Sequence, residues 1–189
     1  MGPLAASPAV VAEQTAAATS NDARRSVLAS FTDDVTAWMS ELRYSTANRR
    51  ATERLVDGFE VMRTTNGVDP ATVRRLVVSV GRDGMPRLFD GAAALGITVD
   101  PWTEQLSELE SSEDLDDLGS PLSGGDIIEL IDTPPGPVVG EFTRRLAEVR
   151  IVDGPLSRDR AVALVREWAA AEVATELANS REEANRDRR

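Results

Sequence analysis

From Val27 to Arg43 the apolar residues Val27, Leu28, Phe31, Val35, Trp38, Met39 and Leu42 recur at steps of three and four, a spacing that predicts one buried side of a helix. Tyr44-Ser45-Thr46 breaks that pattern. A second helix is expected from about Thr46 to Thr64, with Leu55, Val56, Phe59 and Met62 turned inward. It ends at Asn66-Gly67, a pair that accepts positive φ. Asp69 can cap and Pro70 can take the first helical position, so Ala71 to Val80 reads as a short helix burying Val73, Leu76, Val77 and Val80. Gly81 stops it, and a further turn or helix covers Pro86 to Leu95.

Downstream, Ser123 can cap a short helix carrying Ile127, Ile128, Leu130 and Ile131. Pro134-Pro135-Gly136-Pro137 must end it, because proline cannot continue a helix and restricts the residue before it. Pro137 suits the first turn of the next helix, where Val138, Val139, Phe142, Leu146 and Val149 keep helical spacing and Arg144, Arg145 and Glu148 face solvent. Asp153-Gly154-Pro155 closes that helix. Ser157 then caps a last long one with a stripe of Ala161, Leu164, Val165 and Trp168. Met1 to Asn21 lacks sustained periodicity and reads as a mobile leader, with order beginning near Ser26. The resulting expectation is an all-α protein: a leader over 1–25, a body of three or four helices over 26–98, an acidic connector over 99–121, a three-helix tail over 122–178, and a frayed charged end over 179–189.

Composition supports helices and removes much chemistry. Only eight of 189 residues are aromatic, whereas strands recruit aromatic and β-branched side chains. The chain has no His, no Cys and no Lys. That excludes a Ser-His-Asp triad, a thiol nucleophile, a zinc finger, a Schiff base and a lysine-bearing phosphate loop. Any catalyst would have to use carboxylates, hydroxyls or arginine. The net charge is −11, and it is uneven: Leu88 to Thr143 holds 13 acidic residues and no basic one. The densest part, Glu104 to Asp117, reads as a solvated helix face or linker that repels phosphate. A nucleic-acid contact would have to use the arginine-bearing segments on either side. No run is long and apolar enough for a membrane span or signal peptide, so a cytoplasmic protein is expected.

The run GSPLSGGDIIELIDTPPGPVVGEFTRRLAEVRIVDGPLSRDRAVALVREW, Gly119 to Trp168, resembles the C-terminal tail of bacterial class II tRNA nucleotidyltransferases, the CCA-adding enzymes and their poly(A) polymerase relatives. The matching features come in order: the Gly-Asp-Ile-Ile-Glu-Leu helix, the turn at Pro135, Gly136, Pro137 and Gly140, the arginine-rich helix, then Asp-Gly-Pro-Leu-Ser and the Arg-Ala-Val-Ala-Leu-Val-Arg-Glu-Trp helix. Upstream, SELRYSTANRR at Ser40 to Arg50 and DPATVRRLVVSVG at Asp69 to Gly81 look like the family's linker and body helices. The similarity spans about Thr32 to Trp168.

Two departures limit what the resemblance implies. The family's head carries a Gly-Ser motif and paired carboxylates for two Mg²⁺, followed by a Glu-Asp-x-x-Arg neck; neither motif occurs here. Asp114-Leu115-Asp116 has the carboxylate spacing but no preceding Gly-Ser loop, and reads as part of a solvated acidic run. The family's HD domain binds metal through His, of which there is none, so at most its last helix survives near Phe31 to Leu42. No catalysis by the isolated chain and no cofactor are therefore expected. What the resemblance does imply is the grip of the body and tail on tRNA, which reads shape and phosphates. Arg43, Arg49, Arg50, Arg74, Arg75, Arg144, Arg145 and Arg150 are its candidate backbone contacts, each weighed against an ordinary role as a solvated helix-surface residue. Trp38, Trp102 and Trp168 read as core or interface anchors, and Pro135, Gly136, Pro137 and Gly140 as a structural turn. Two functions follow. One is a tRNA-binding module working with a separate nucleotidyltransferase head or another protein, with no DNA or membrane partner. The other is an acidic helical adaptor that has lost RNA binding.

Overall fold

A computed structural model describes residues 7–171, and every regular element among them is helical. The protein is all-α. None of these helices is long and apolar enough to cross a membrane. The chain divides into two compact units, with the boundary between Asp117 and Leu118.

In the first unit order starts earlier than periodicity suggests. Pro8–Ala17 forms α1 and Asn21–Ala29 forms α2, capped by Ser7 and Ser20. The segment read as a leader to residue 25 is thus corrected to helix from residue 8. α1 buries none of its own residues, which is why no apolar period marks it. Its place is fixed by polar bonds instead. The Asp90 carboxylate accepts from the Thr19 backbone N–H at 2.9 and 3.0 Å, from the Thr19 hydroxyl at 2.9 Å and from the Ser20 N–H at 2.9 Å. Next to this corner Ala18, Ala23 and Val27 form a small buried cluster with Phe31, Ala94 and Leu95.

That carboxylate makes the corner sensitive to acid. Burial alone would raise the Asp90 pKa, but the hydrogen bonds from Ser20 and Thr19 together outweigh it and bring it below the usual carboxylate value. A group depressed in this way stabilises the fold above its unfolded pKa, about 3.9 for Asp, and the contribution is lost as pH falls through that value toward the folded one. Thermal melts followed by circular dichroism between pH 5 and pH 2 should therefore show a smaller loss of stability for Asp90→Asn than for the wild type. The variant should also be less stable at neutral pH. Equal losses across that range would contradict the assignment.

The single helix expected over Val27 to Arg43 is two helices. α2 ends at Ala29 and α3 runs Val35–Glu41. Asp34 makes the break, because its carboxylate accepts from the Ala37 N–H at 2.8 Å and so starts a new helix. The interruption turns Leu28 and Leu42 outward, at 38 % and 53 % exposed. α4, Thr46–Thr64, matches the periodic reading, with Leu55, Phe59 and Met62 buried and Ser45 capping it. α5, Pro70–Val80, starts on Asp69 and stops at Gly81, whose φ of 80° favours glycine. A 3-10 turn, Arg82–Gly84, leads into α6, Met85–Ala94. α4 and α6 pack closely because Gly91 leaves room for the Phe59 ring: a Cβ built on it would meet the ring at 2.5 Å.

The acidic connector expected over 99–121 is largely helical, with the acidic run forming the solvated helix face that is one of the two readings of its sequence. Asp100–Ser112 is a helix, α7, which buries Trp102 and Leu109 and packs on α5. Two apolar residues seven apart put one narrow stripe inward while Glu104, Glu108 and Glu110 stay exposed.

In the second unit α8, Gly124–Ile131, opens with a capping box. Ser123 Oγ accepts from the Asp126 N–H at 3.1 Å, and Asp126 Oδ2 accepts from the Ser123 N–H at 2.7 Å. Pro135 and Gly136 lead into Pro137, the first residue of α9, Pro137–Asp153. Gly140 lies inside α9, where a Cβ would meet open space, so it is a helix residue and not part of the turn. Gly154, with φ of 97°, ends α9. A last helical run covers 158–171, with the Ser157 hydroxyl accepting from the Arg160 N–H at 3.2 Å. Leu122, Ile127, Val139, Phe142, Leu146, Ala161, Leu164 and Val165 form the core of this unit. Residues 172–178 of the expected tail, and the frayed end expected over 179–189, lie outside the described residues.

Candidate nucleic-acid interface

The eight candidate arginines fall into three groups once burial is known. Arg74, on α5, is a core residue: its side chain is 7 % exposed and its Nη2 lies 2.8 Å from Glu113 Oε1, itself on a side chain 2 % exposed. Arg74 Nε donates to the same oxygen at 2.9 Å. Arg150, near the end of α9, is 6 % exposed. Neither presents a guanidinium to a phosphate, and both are corrected from candidate contacts to structural residues. Arg145 is half-buried, with its guanidinium carbon 4.3 Å from the Trp168 ring centre and 5.7 Å from that of Phe142. It holds two core aromatics by cation–π attraction instead of facing solvent as expected. Arg75 and Arg144 are exposed on α5 and α9.

Arg43, Arg49 and Arg50 remain, and the structure brings them to one corner, where α3 gives way to α4. α3 ends in a six-residue cap. The Arg43 N–H donates to the Ser40 carbonyl and the Tyr44 N–H to the Met39 carbonyl, each at 3.0 Å, with Arg43 in the left-handed region at φ 58°. Glycine is the usual occupant of that position, and a side chain there costs about 1 kcal/mol. Ser45 then caps α4 by accepting from the Asn48 N–H at 3.2 Å. Arg49 ties the corner together, donating to the Ser40 hydroxyl at 2.5 Å and the Thr46 hydroxyl at 3.1 Å. Arg43 and Arg50 are exposed, and among the described residues neither pairs with a carboxylate.

Electrostatically this corner is unusual. A helix N-terminus carries a partial positive charge that acidic side chains normally offset. α4 has no acid in its first turn, and Leu42 to Thr52 contains three arginines and no acidic residue. Two carboxylates that flank the corner are engaged elsewhere, Glu53 accepting from the Thr36 hydroxyl at 2.5 Å and Asp22 pairing with Arg25 at 2.6 Å, while Glu41 at the end of α3 is exposed. Positive side chains on the positive end of a 19-residue helix favour an anion there.

Sequence reasoning missed two members of this corner, Arg25 and Tyr44. Arg25, on α2, lies with its guanidinium carbon 5.4 Å from the Tyr44 ring centre, and its Nε donates to the Thr52 hydroxyl at 2.9 Å. Thr52 is fully buried on α4, so this bond locks α2 to the second turn of that helix. The available signal was the chain's one tyrosine lying beside Arg43, although that residue type reads first as a helix break.

The spacing of Asp114 and Asp116 does not assemble a metal cradle. Asp116 Oδ2 faces Arg82 Nη1 at 3.0 Å, and Asp114 Oδ1 accepts from the Asp116 N–H at 2.9 Å. Among the described residues no three His, Cys, Asp or Glu side chains are grouped to hold an ion. In the second unit an exposed ion pair joins Arg158 Nη2 to Asp126 Oδ1 at 2.5 Å, and the Arg158 bond is the main cause holding the Asp126 carboxyl well below the usual range, with Ser123 adding to it. Comparison with protein-family models, curated proteins and solved structures finds no match to the chain.

Proposed function

We propose that the protein is a helical module that grips folded RNA of the tRNA type by its phosphate backbone, leaving nucleotide addition to a separate nucleotidyltransferase head. The observation that carries this reading is the α3–α4 corner, where Arg43 and Arg50 are exposed beside an acid-free helix N-terminus. Arg49 fixes the corner's shape, and Arg144 is exposed on α9 of the second unit. The resemblance of Gly119 to Trp168 to class II nucleotidyltransferase tails supplies the choice of RNA over other polyanions. Overall charge argues against non-specific polyanion binding, so contact has to be local and oriented.

A tRNA titration across salt tests the proposal. Neutralising Z phosphates lowers log K with slope about −0.7Z to −0.9Z against log salt, so three to four contacts predict a slope of roughly −2 to −4. A gel shift at low salt that fades with that slope is expected, and Arg50→Ala should reduce the slope by about one. Absence of any shift at low salt would overturn the proposal and leave the acidic adaptor as the better description. That second reading is favoured by one observation, the exposed carboxylates of α7.

A further inference from the structure

We infer that Tyr44 is a stacking platform for an unpaired nucleotide, with Arg43 and Arg50 holding the phosphates that flank it. The inference rests on the RNA-binding reading and names the part of the RNA the corner would take. Tyr44 stands between α3 and α4 with 37 % of its surface exposed. It is not a core anchor: its backbone N–H closes the α3 cap, while Arg25 lies over one face of its ring, 5.4 Å from the ring centre, so a base would stack on the opposite face. Arg25 is in turn fixed by Thr52 and Asp22, so the ring leans on a positioned guanidinium.

A preset, partly exposed ring bordered by cations suits a base, which every nucleotide presents as a π-face while its phosphates seek positive charge. Charge complementarity selects the occupant, because Leu42 to Thr52 has no carboxylate to repel a phosphate and three arginines to attract one. A duplex would leave the ring idle, since its bases are paired and stacked away. The corner therefore fits a loop, bulge or single-stranded end.

The test uses the full chain, fluorescence anisotropy, a labelled mixed-sequence RNA octamer, a blunt RNA duplex of equal charge and intact tRNA. The octamer should bind more tightly than the duplex. Tyr44→Leu should weaken the octamer about tenfold, consistent with losing one stacked base, whereas Tyr44→Phe should keep its affinity. Circular dichroism should show unchanged helix content in both variants, because the ring lies outside the core. Tyr44→Leu binding the octamer like wild type would overturn the inference, and so would displacement of the octamer by an acidic peptide of equal charge at equal concentration. If tRNA still binds with its salt dependence in the first case, the RNA-binding proposal survives alone. If the octamer binds through Tyr44 while intact tRNA does not bind, the platform survives and the tRNA proposal falls.

Discussion

Replacing Glu113 with alanine should destabilise the protein by about 3–5 kcal/mol, the cost of breaking a buried ion pair by removing one member. Arg74 and Glu113 meet at 2.8 Å with side chains 7 % and 2 % exposed, so water cannot solvate the guanidinium once the carboxylate is gone. Arg74→Ala should cost a similar amount, because it removes the other member of the same buried pair. Most of the loss should return in the double variant Arg74→Met/Glu113→Leu, which buries no charge at that place. Urea denaturation followed by circular dichroism measures all three. Single losses below about 1 kcal/mol, the range of solvent-exposed pairs, would contradict the buried geometry. The prediction also separates structure from binding: a folded Arg74 variant should bind RNA as well as the wild type does.

Phe142→Ala should be comparably damaging, at about 3–5 kcal/mol, through the lost transfer energy and the cavity left behind. Phe142 is fully buried at the centre of the second unit's core, and its ring lies 5.9 Å from that of Trp168 at an interplanar angle of 53°. A tilted aromatic pair adds about 0.5–1.5 kcal/mol to the area buried, and Arg145, which sits over both rings, would lose one of its two π partners. Val138→Ala provides the contrast on the same helix. Val138 is 40 % exposed, and its loss should stay within about 0.5 kcal/mol. Chemical denaturation followed by tryptophan fluorescence reads both, and equal effects of the two substitutions would contradict the placement of Phe142.

These two sites mark how far the sequence could be read. Phe142 was visible because Val139, Phe142 and Leu146 repeat at helical spacing, and periodicity reports burial within one helix. α4 was bounded correctly for the same reason, with Ser45 and Asn66-Gly67 as its punctuation. Ser123, Asp69 and Ser157 were likewise readable as caps, since each acts on a backbone N–H a few residues away. Arg74 was not readable. Its partner lies 39 residues downstream in a run whose composition suggests solvent, and only the packing of α7 on α5 turns Glu113 inward. α1 was missed because polar bonds from Thr19 and Ser20 to Asp90, some 70 residues away, hold its end in place.

The candidate interface divides along the same line. Arg43, Arg49 and Arg50 are close in sequence and stay together in space. Arg74, Arg145 and Arg150 carry the same charge on periodic helices, but tertiary neighbours decide that they serve the fold. Arg25 joins the corner only because α2 folds back against α4.

Titrating tRNA into the isotopically labelled protein and following backbone amide shifts by NMR tests the central claim most directly. The account predicts progressive shifts for residues 43–50, reversed by added salt, with the amides of Arg74 and Arg150 left in place. A spectrum that does not move at low salt, or one whose changes gather on the carboxylate face of α7 instead, would contradict it.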